Sequence, residues 1–180
     1  MVSGREEGAV AICFELVVNF GNNVEGAQAA ALASPRPMTL QAGIHRIPLH
    51  RALMNRTGSY IELSVIPVGV GWGVALDGTL PRTRLTATEL TELGTGLYRL
   101  LAEFNGYVAA KVGWDPEGFL DPEELKSDWA DELNDGTING LVLCQAMHSA
   151  LGLGGNYVEF QPGYLWVPYR GEKPSTLTAD

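Results

Sequence analysis

Acidic side chains are concentrated in one short segment, and they are the residues whose type and spacing most plainly suggest chemistry. Residues 115–135 hold nine acids and one base, Lys126, so this segment has a net charge of −8. The other 159 residues hold 12 acids and 11 bases, so nearly all of the net charge of −9 lies in the segment. Clustered like charge speeds association with an oppositely charged partner and disfavours wrong partners. The segment therefore predicts a recognition surface for a basic partner.

The predicted surface combines the acids of a helix expected over residues 121–135 with aromatic anchors. Asp121 is expected to cap this helix, because Pro122 and two further acids suit the first turn and its positive dipole end. Acids steer an encounter, whereas Tyr and Trp side chains anchor interfaces. The predicted partner-binding residues are Asp121, Glu124, Asp128, Trp129, Asp131, Glu132 and Asp135, together with Tyr164 and Trp166 of a C-terminal hairpin.

A basic stretch has the opposite character, because no acid occurs between Glu25 and Glu62. Its four arginines are Arg36, Arg46, Arg51 and Arg56. Two structural interpretations therefore compete with recognition: the acidic helix is simply a solvated face, or it pairs with these arginines. Surface ion pairs contribute only about 0–1 kcal/mol each, so pairing alone would not require this many acids.

Two other groupings suggest catalysis. Cys144 and His148 are four residues apart on a helix expected over residues 137–151, where a thiol and a base could act together or simply pack. Asp115 follows a predicted strand, with Glu117 nearby, and paired carboxylates suit general acid–base chemistry. Turn and cap roles explain these acids equally well. No spacing indicates a metal site or a cofactor, so neither is expected.

The elements that must position these groups follow an irregular order of strands and helices. Period-two alternation predicts strands at 10–20 and 60–76, with a change of phase at Ile66 and Pro67. Further strands are expected at 107–114, 157–160 and 164–169, and a tight turn at Asp77–Gly78. Helices are expected in the alanine run before Pro35, behind a Thr86–Glu89 capping box, at 121–135 and at 137–151. This order predicts an α+β fold: a mixed or antiparallel sheet with about three helices packed mainly on one face.

Length and composition set the remaining expectations. A chain of 180 residues suits a single domain over residues 1–170, followed by a polar, flexible tail over 171–180. The start does not resemble a signal peptide, and no apolar run reaches about 20 residues, so a cytoplasmic protein without membrane association is expected. An acidic chain is not expected to bind nucleic acid.

The sequence thus favours a small acidic cytoplasmic binding protein. Its concrete form is an immunity or antitoxin-like inhibitor that neutralises or chaperones a basic protein, such as a toxin domain. One alternative is a small hydrolase-type enzyme using Cys144 and His148 or the carboxylates around Asp115. Another is a homo-oligomeric structural protein that associates through the aromatic hairpin.

Overall fold

A computed structural model describes residues 11–34, 38–74 and 78–180. Its strands are β1 (Ala11–Asn19), β2 (Thr39–Ala42), β3 (His45–Pro48), β4 (Leu53–Thr57), β5 (Tyr60–Val65), β6 (Gly71–Gly73), β7 (Ala109–Trp114), β8 (Val142–Cys144), β9 (Val158–Gln161) and β10 (Tyr164–Trp166). Its helices are α1 (Val24–Ala33), α2 (Ala87–Leu101), α3 (Pro122–Asp128), α4 (Ala130–Asn134) and α5 (Gln145–Ala150), with a 3₁₀ turn at Pro116–Phe119.

The main sheet is antiparallel and has the order β4-β5-β1-β7-β8-β10-β9. Strand β6 also pairs with β1, next to β5, while β2 and β3 form a separate hairpin. The predicted α+β class is confirmed. Strand β1 lies near the middle of the sheet, so its side chains contribute to both faces.

Alternate residues of β1 divide between two apolar cores. Phe14, Leu16 and Val18 pack on the first face, which is covered by α1 and α2. Val17 packs on the second face, with the apolar residues of the 3₁₀ turn, α3 and α4. This alternation follows from the two-residue period of a strand. The two longest helices therefore lie on the first face, and the acidic segment lies on the second.

Helix α2 begins as the sequence predicts. The backbone N–H of Thr86 donates to the Glu89 carboxylate over 2.8 Å, and the Glu89 N–H donates to the Thr86 hydroxyl over 3.2 Å. This reciprocal capping box satisfies two backbone donors that the helix itself leaves unpaired. Within the described residues, no helix has the length and apolar character needed to cross a bilayer.

The predicted strand region at 60–76 is interrupted at the predicted position. Strands β5 and β6 both pair with the same edge of β1, with Val65 opposite Leu16 and Trp72 opposite Ile12. Because of the change of phase, this segment forms two successive strands, β5 and β6, which pair with different parts of β1. The predicted turn at Asp77–Gly78 lies partly outside the described residues.

Two predicted helices are wrong in extent. The segment 137–151 forms a turn, the short strand β8 and then α5, whose N-cap is Cys144. Its apolar residues Leu141, Val142 and Leu143 are fully buried, and a run of this kind fits a buried strand as well as a helix. The helix predicted over 121–135 breaks at Trp129, where the backbone (φ −128°, ψ 26°) leaves the helical region between α3 and α4.

The last ten residues run back to α2. The N–H of Ala179 donates to the Leu85 carbonyl over 2.9 Å, and the Ala87 N–H donates to the Asp180 carboxylate over 3.0 Å. Thr178 is buried, and its carbonyl accepts from Arg84 over 2.6 Å. These contacts tie the tail to the start of α2; its flexibility stays a prediction.

Candidate acidic interface

The acids of the 115–135 segment point outward because the apolar residues between them are anchored in the sheet. Leu125 of α3 is fully buried and Leu133 of α4 is 2% exposed. Asp121 is half-buried and caps α3, accepting from the Glu123 N–H over 2.8 Å. The predicted acids on the outer side are all exposed: Glu124, Asp128, Asp131, Glu132 and Asp135.

Trp129 occupies the junction between α3 and α4. Its ring is half-buried and lies against Phe119 of the 3₁₀ turn, with 4.7 Å between the ring centroids. Phe119 in turn lies beneath the Lys111 ammonium, which is 4.9 Å from the ring centroid. Trp129 therefore helps to hold the short helices together, and only part of its ring is available to a partner.

A cavity of about 480 Å³ lies beside these helices, and we call it the acidic pocket. It is lined by Asn55, Tyr60, Glu62, Glu117, Gly118 and Glu124. These residues come from β4, β5, the 3₁₀ turn and α3, so the pocket joins the acidic segment to the edge of the sheet. Three carboxylates from three separate elements share its wall.

The carboxylates around the acidic pocket repel one another. Burial raises the pKa of Tyr60 to about 12, and the charges of Glu62, Asp121, Glu124 and Glu117 add to this effect. The pKa of Glu62 is also raised, first by burial and then by Glu117, although hydrogen bonds from Ser64 and Tyr60 oppose the change. Tyr60 therefore lies in a partly buried site, and the four surrounding carboxylates further disfavour the charged form of its phenol.

Glu15 of β1 adds a deeply buried carboxylate to this face. Its side chain is 6% exposed, and burial raises its pKa to about 8, with further contributions from Glu117, Glu62 and Asp115. Within the described ranges, no hydrogen bond or ion pair reaches the Glu15 carboxylate. Lys111, on the same face of β7, lies over the Phe119 ring instead. A pKa of about 8 keeps the Glu15 carboxyl largely protonated at neutral pH, so the second face holds a buried neutral acid next to the carboxylates of the acidic segment.

Local geometry holds the 3₁₀ turn over β1. Asp115 has a left-handed backbone (φ 47°), which redirects the chain as it leaves β7, and its N–H donates to the Cys13 carbonyl over 3.1 Å. The buried Asn19 amide donates to the Leu120 carbonyl over 2.7 Å. These bonds fix Glu117 near Glu15 and the pocket.

Sequence reasoning found Asp121 and Glu124, but it missed Glu15 and Glu62. A signal existed for Glu15, because this acid interrupts the apolar run of a strand whose neighbours on both sides are buried. Glu62 occupies the equivalent kind of position in β5, between Ile61 and Leu63. Charged residues are almost never fully buried unless they are paired, so such positions indicate a special environment.

The two hairpin aromatics lie on the other side of the sheet. Tyr164 is 7% exposed, and its hydroxyl accepts from the backbone N–H groups of Gly106 and Tyr107. Trp166 is half-buried and packs on Tyr98, with 5.4 Å between ring centroids. Both belong to the first-face core, so the structure does not bring them together with the acids.

The predicted thiol–imidazole pair has separate structural roles. The Cys144 sulfur caps α5 by accepting from the Met147 N–H over 3.4 Å. The His148 ring lies edge-on to Tyr157, with 4.8 Å between centroids. Within the described part of the chain, no hydrogen bond joins Cys144 to His148.

The basic stretch does not neutralise the acidic segment. Among the described residues, no ion pair joins its arginines to an acid of residues 115–135. Arg36 lies outside the described residues. The hypothesis that the two segments pair with each other is therefore not supported for Arg46, Arg51 and Arg56.

No protein-family model, curated protein or solved structure matches this chain. Within the described ranges, no group of three or more His, Cys, Asp or Glu side chains has a geometry that would hold a metal ion. The three carboxylates that line the acidic pocket come from separate elements and can each accept hydrogen bonds from a cationic group. Lys and Arg side chains are the cations that a protein partner would supply.

Proposed function

We propose that this chain is a cytoplasmic binding protein that captures a basic protein partner, in the manner of an immunity protein or antitoxin. The observation that carries the proposal is the uncompensated negative charge of the second face. Exposed acids of α3 and α4 lie beside a pocket in which Glu62, Glu117 and Glu124 converge, and no described cation pairs with them. A partner's Lys or Arg side chain would relieve this repulsion.

The two kinds of acid have different roles in this proposal. Exposed acids such as Asp128 and Asp131 are in water and are screened by salt, so they mainly accelerate the encounter. Glu62 is 6% exposed, so its interaction with a cation is screened much less. We therefore assign the on-rate to α3 and α4, and the lifetime of the complex to the acidic pocket.

The test uses the partner that the intact protein retains at low salt and releases in a salt step. Association is then measured between the two purified proteins. We expect the triple variant Asp128→Asn/Asp131→Asn/Glu132→Gln to associate roughly tenfold more slowly at low ionic strength, with a flatter salt dependence.

A matched control removes the same number of charges elsewhere. The variant Glu25→Gln/Glu103→Gln/Glu159→Gln neutralises three exposed acids outside residues 115–135. It has the same net charge as the triple variant of α3 and α4, so it separates local steering from overall charge. Equal on-rates and equal salt slopes for the two variants would refute the proposal.

A hydrolase-type enzyme is the second candidate, and one observation favours it. A Glu15 pKa of about 8 keeps this carboxyl protonated at neutral pH, as a general acid requires, and Glu117 lies close enough to contribute to that shift. Turnover of nitrophenyl glycosides and esters, abolished by Glu117→Gln, would establish this alternative. Rapid alkylation of the folded protein at Cys144 by iodoacetamide would instead favour the thiol form.

A further inference from the structure

Strand β4 is the outermost strand on its side of the sheet, and it has unused backbone groups. Among the described residues, no strand pairs with its outer edge. Antiparallel residues alternate between the two neighbours that they bond. Ile61 bonds toward β1, because its N–H donates to Gly21 and its carbonyl accepts from Phe20. Its partner on β4, Arg56, and the equivalent residue Met54 therefore direct their N–H and C=O groups outward.

The two faces of this edge differ in chemistry. Asn55 is opposite Glu62, so it lies on the second face and lines the acidic pocket. Met54 is opposite Leu63, so it lies on the first face, where it lines a groove of about 560 Å³. The other lining residues belong to the end of α1, the loop before β4 and β4 itself: Ala31, Leu32, Ser34, Arg51, Ala52 and Leu53. Leu32 is 85% exposed and Met54 is 43% exposed. One strand edge thus separates the acidic pocket from a groove that is lined mainly by apolar side chains and by the cation Arg51, so the cationic side chains of a partner are expected on the pocket side only.

We propose that the partner adds an extended basic segment to β4, with cationic and apolar side chains in alternation. A residue opposite Asn55 would extend a Lys or Arg side chain toward Glu62, and its neighbour opposite Met54 would place an apolar side chain in the groove of Leu32. Two inter-strand spacings amount to about 10 Å, which is within the combined reach of a Lys and a Glu side chain. This inference rests on the proposed function and specifies its partner.

Charge complementarity selects this occupant over a second copy of the chain. Two β4 strands related by a two-fold axis normal to the sheet would place two acidic pockets side by side on one face. Like charges in that arrangement oppose pairing. The opposite edge of the sheet is less regular, because β9 pairs with β10 through a shift of register at Tyr164 and Leu165. Such bulges disrupt the ladder and protect an edge.

The experiment uses short capped peptides as probes. The first alternates Lys and Val over seven residues, and the second has the same composition in two blocks, four Lys followed by three Val. Two further versions of the alternating peptide are N-methylated, either on every Val or on the inner Lys residues. Valine amides face β4 in antiparallel addition, and lysine amides face it in parallel addition.

The expected result is selective binding with a backbone signature. The alternating peptide binds the intact protein about tenfold more tightly than the block peptide, because only the alternating order lets its backbone bond β4 with lysines on one face and valines on the other. One of the two methylated versions loses that advantage, while the other retains it. Amide hydrogen exchange at Met54 and Arg56 slows when the alternating peptide is added.

Variants of the protein give an independent measurement. Met54→Pro removes one outward N–H without removing a hydrogen bond to β5. The affinity for the alternating peptide should therefore fall about tenfold, while the affinity for the block peptide should not change. Met54→Val retains the N–H and is the matched control. Since the methylated peptides test the same bonds on the intact protein, poor folding of the proline variant would still leave the inference testable.

The outcomes separate this inference from the proposed function. Equal binding of alternating and block peptides, weakened equally by Glu117→Gln and Glu124→Gln, would overturn edge pairing but support capture by charge. Lack of binding by every cationic peptide at low salt would count against both. A dimer of the chain in solution that Met54→Pro dissociates would overturn the inference in favour of a second copy.

Discussion

Two groups of carboxylates share the second face of this protein, and their surroundings differ. The acids on α3 and α4, such as Asp128 and Asp131, are exposed to water. Glu15 and Glu62 are each 6% exposed, and burial raises the pKa of both. The acids of the first group lie close together in the sequence and are exposed to water. Those of the second group lie far apart in the sequence and are buried.

The number of acidic side chains on a surface and the burial of each side chain are therefore separate properties. Exposed acids interact through water and salt, so many are needed for a strong field. A buried carboxylate has strong interactions with its neighbours, so one or two at a pocket affect recognition or catalysis as much as a longer exposed run. The contrast between exposed and buried carboxylates can be tested by substitution.

The largest effect is expected where an apolar side chain supports the exposed acids. Leu125 is fully buried beneath α3, so Leu125→Ala should lower the free energy of unfolding by about 2–5 kcal/mol. Urea unfolding measures the loss. Leu32→Ala is the control, since this leucine is 85% exposed and the change should stay within about 0.5 kcal/mol. Similar losses for both would mean that α3 is not held by its buried stripe.

The next effect is the pH dependence of the free energy of unfolding, which depends on the buried carboxyl of Glu15. Glu15 has a folded pKa of about 8 against an ordinary value of 4.5, so between these values the folded state binds more protons than the unfolded state. Its contribution to stability is complete below about pH 4.5, and is lost as pH rises toward 8. The carboxylates of Glu117, Glu62 and Asp115 act in this direction, and Lys111 lies on the same face.

Thermal unfolding across this pH range should therefore show a decline in the wild type that Glu15→Gln makes much smaller, with the raised pKa of Glu62 contributing to the part that remains. One pKa unit corresponds to about 1.4 kcal/mol, so the difference should amount to a few kcal/mol at pH 8. Asp135→Asn, a change at an exposed acid, should leave the decline in place. A wild-type profile that rises over the same interval would contradict the environment described for Glu15.

A smaller effect is expected at the turn that joins the two groups. Asp115 has a left-handed backbone with φ 47°, a conformation that costs an ordinary L-residue about 1–2 kcal/mol and glycine almost nothing. Asp115→Gly should therefore be about 1 kcal/mol more stable than Asp115→Ala. Denaturant midpoints measure the difference. Equal midpoints would show that the turn adopts another backbone conformation in solution.

The smallest effect on stability is expected for the exposed acids themselves. Asp135 follows α4, so its carboxylate lies near the negative end of that helix, whereas Asp128 lies between the negative end of α3 and the positive end of α4. Replacing either by Asn should change the free energy of unfolding by less than about 0.5 kcal/mol, in the stabilising direction at Asp135 and with little net effect at Asp128. Chemical unfolding at low salt checks this. A loss of more than about 1 kcal/mol would give these acids a structural role.

Local patterns predicted much of the fold. The Thr86–Glu89 capping box and the alternation of β1 depend on residues close in the chain, and both are confirmed. The helix predicted through Leu141 and Leu143 was wrong, because a short apolar run fits a buried strand equally well. Pairing of β8 with β7 and β10 decided between them.

The candidate site shows the same division. The acidic surface could be predicted from the clustering of acids in residues 115–135, and the capping role of Asp121 from the Pro and acidic residues that follow it. Glu15 and Glu62 are 47 residues apart, and only their strands' position in one sheet, under the 3₁₀ turn, places them near Glu117. No local pattern indicates which strand residues a distant turn will cover.

Composition and local pattern are therefore enough to predict the net charge, its concentration in one segment, the Thr86 and Asp121 helix caps and the α+β class. Each of these depends on composition or on residues within a few positions of one another. Strand pairing and packing between distant parts of the chain bring carboxylates from three elements together beside Tyr60, and they leave β4 at the edge between the acidic pocket and the groove of Leu32. The physical reason is that burial and convergence arise from non-local strand pairing, which brings together residues far apart in the chain.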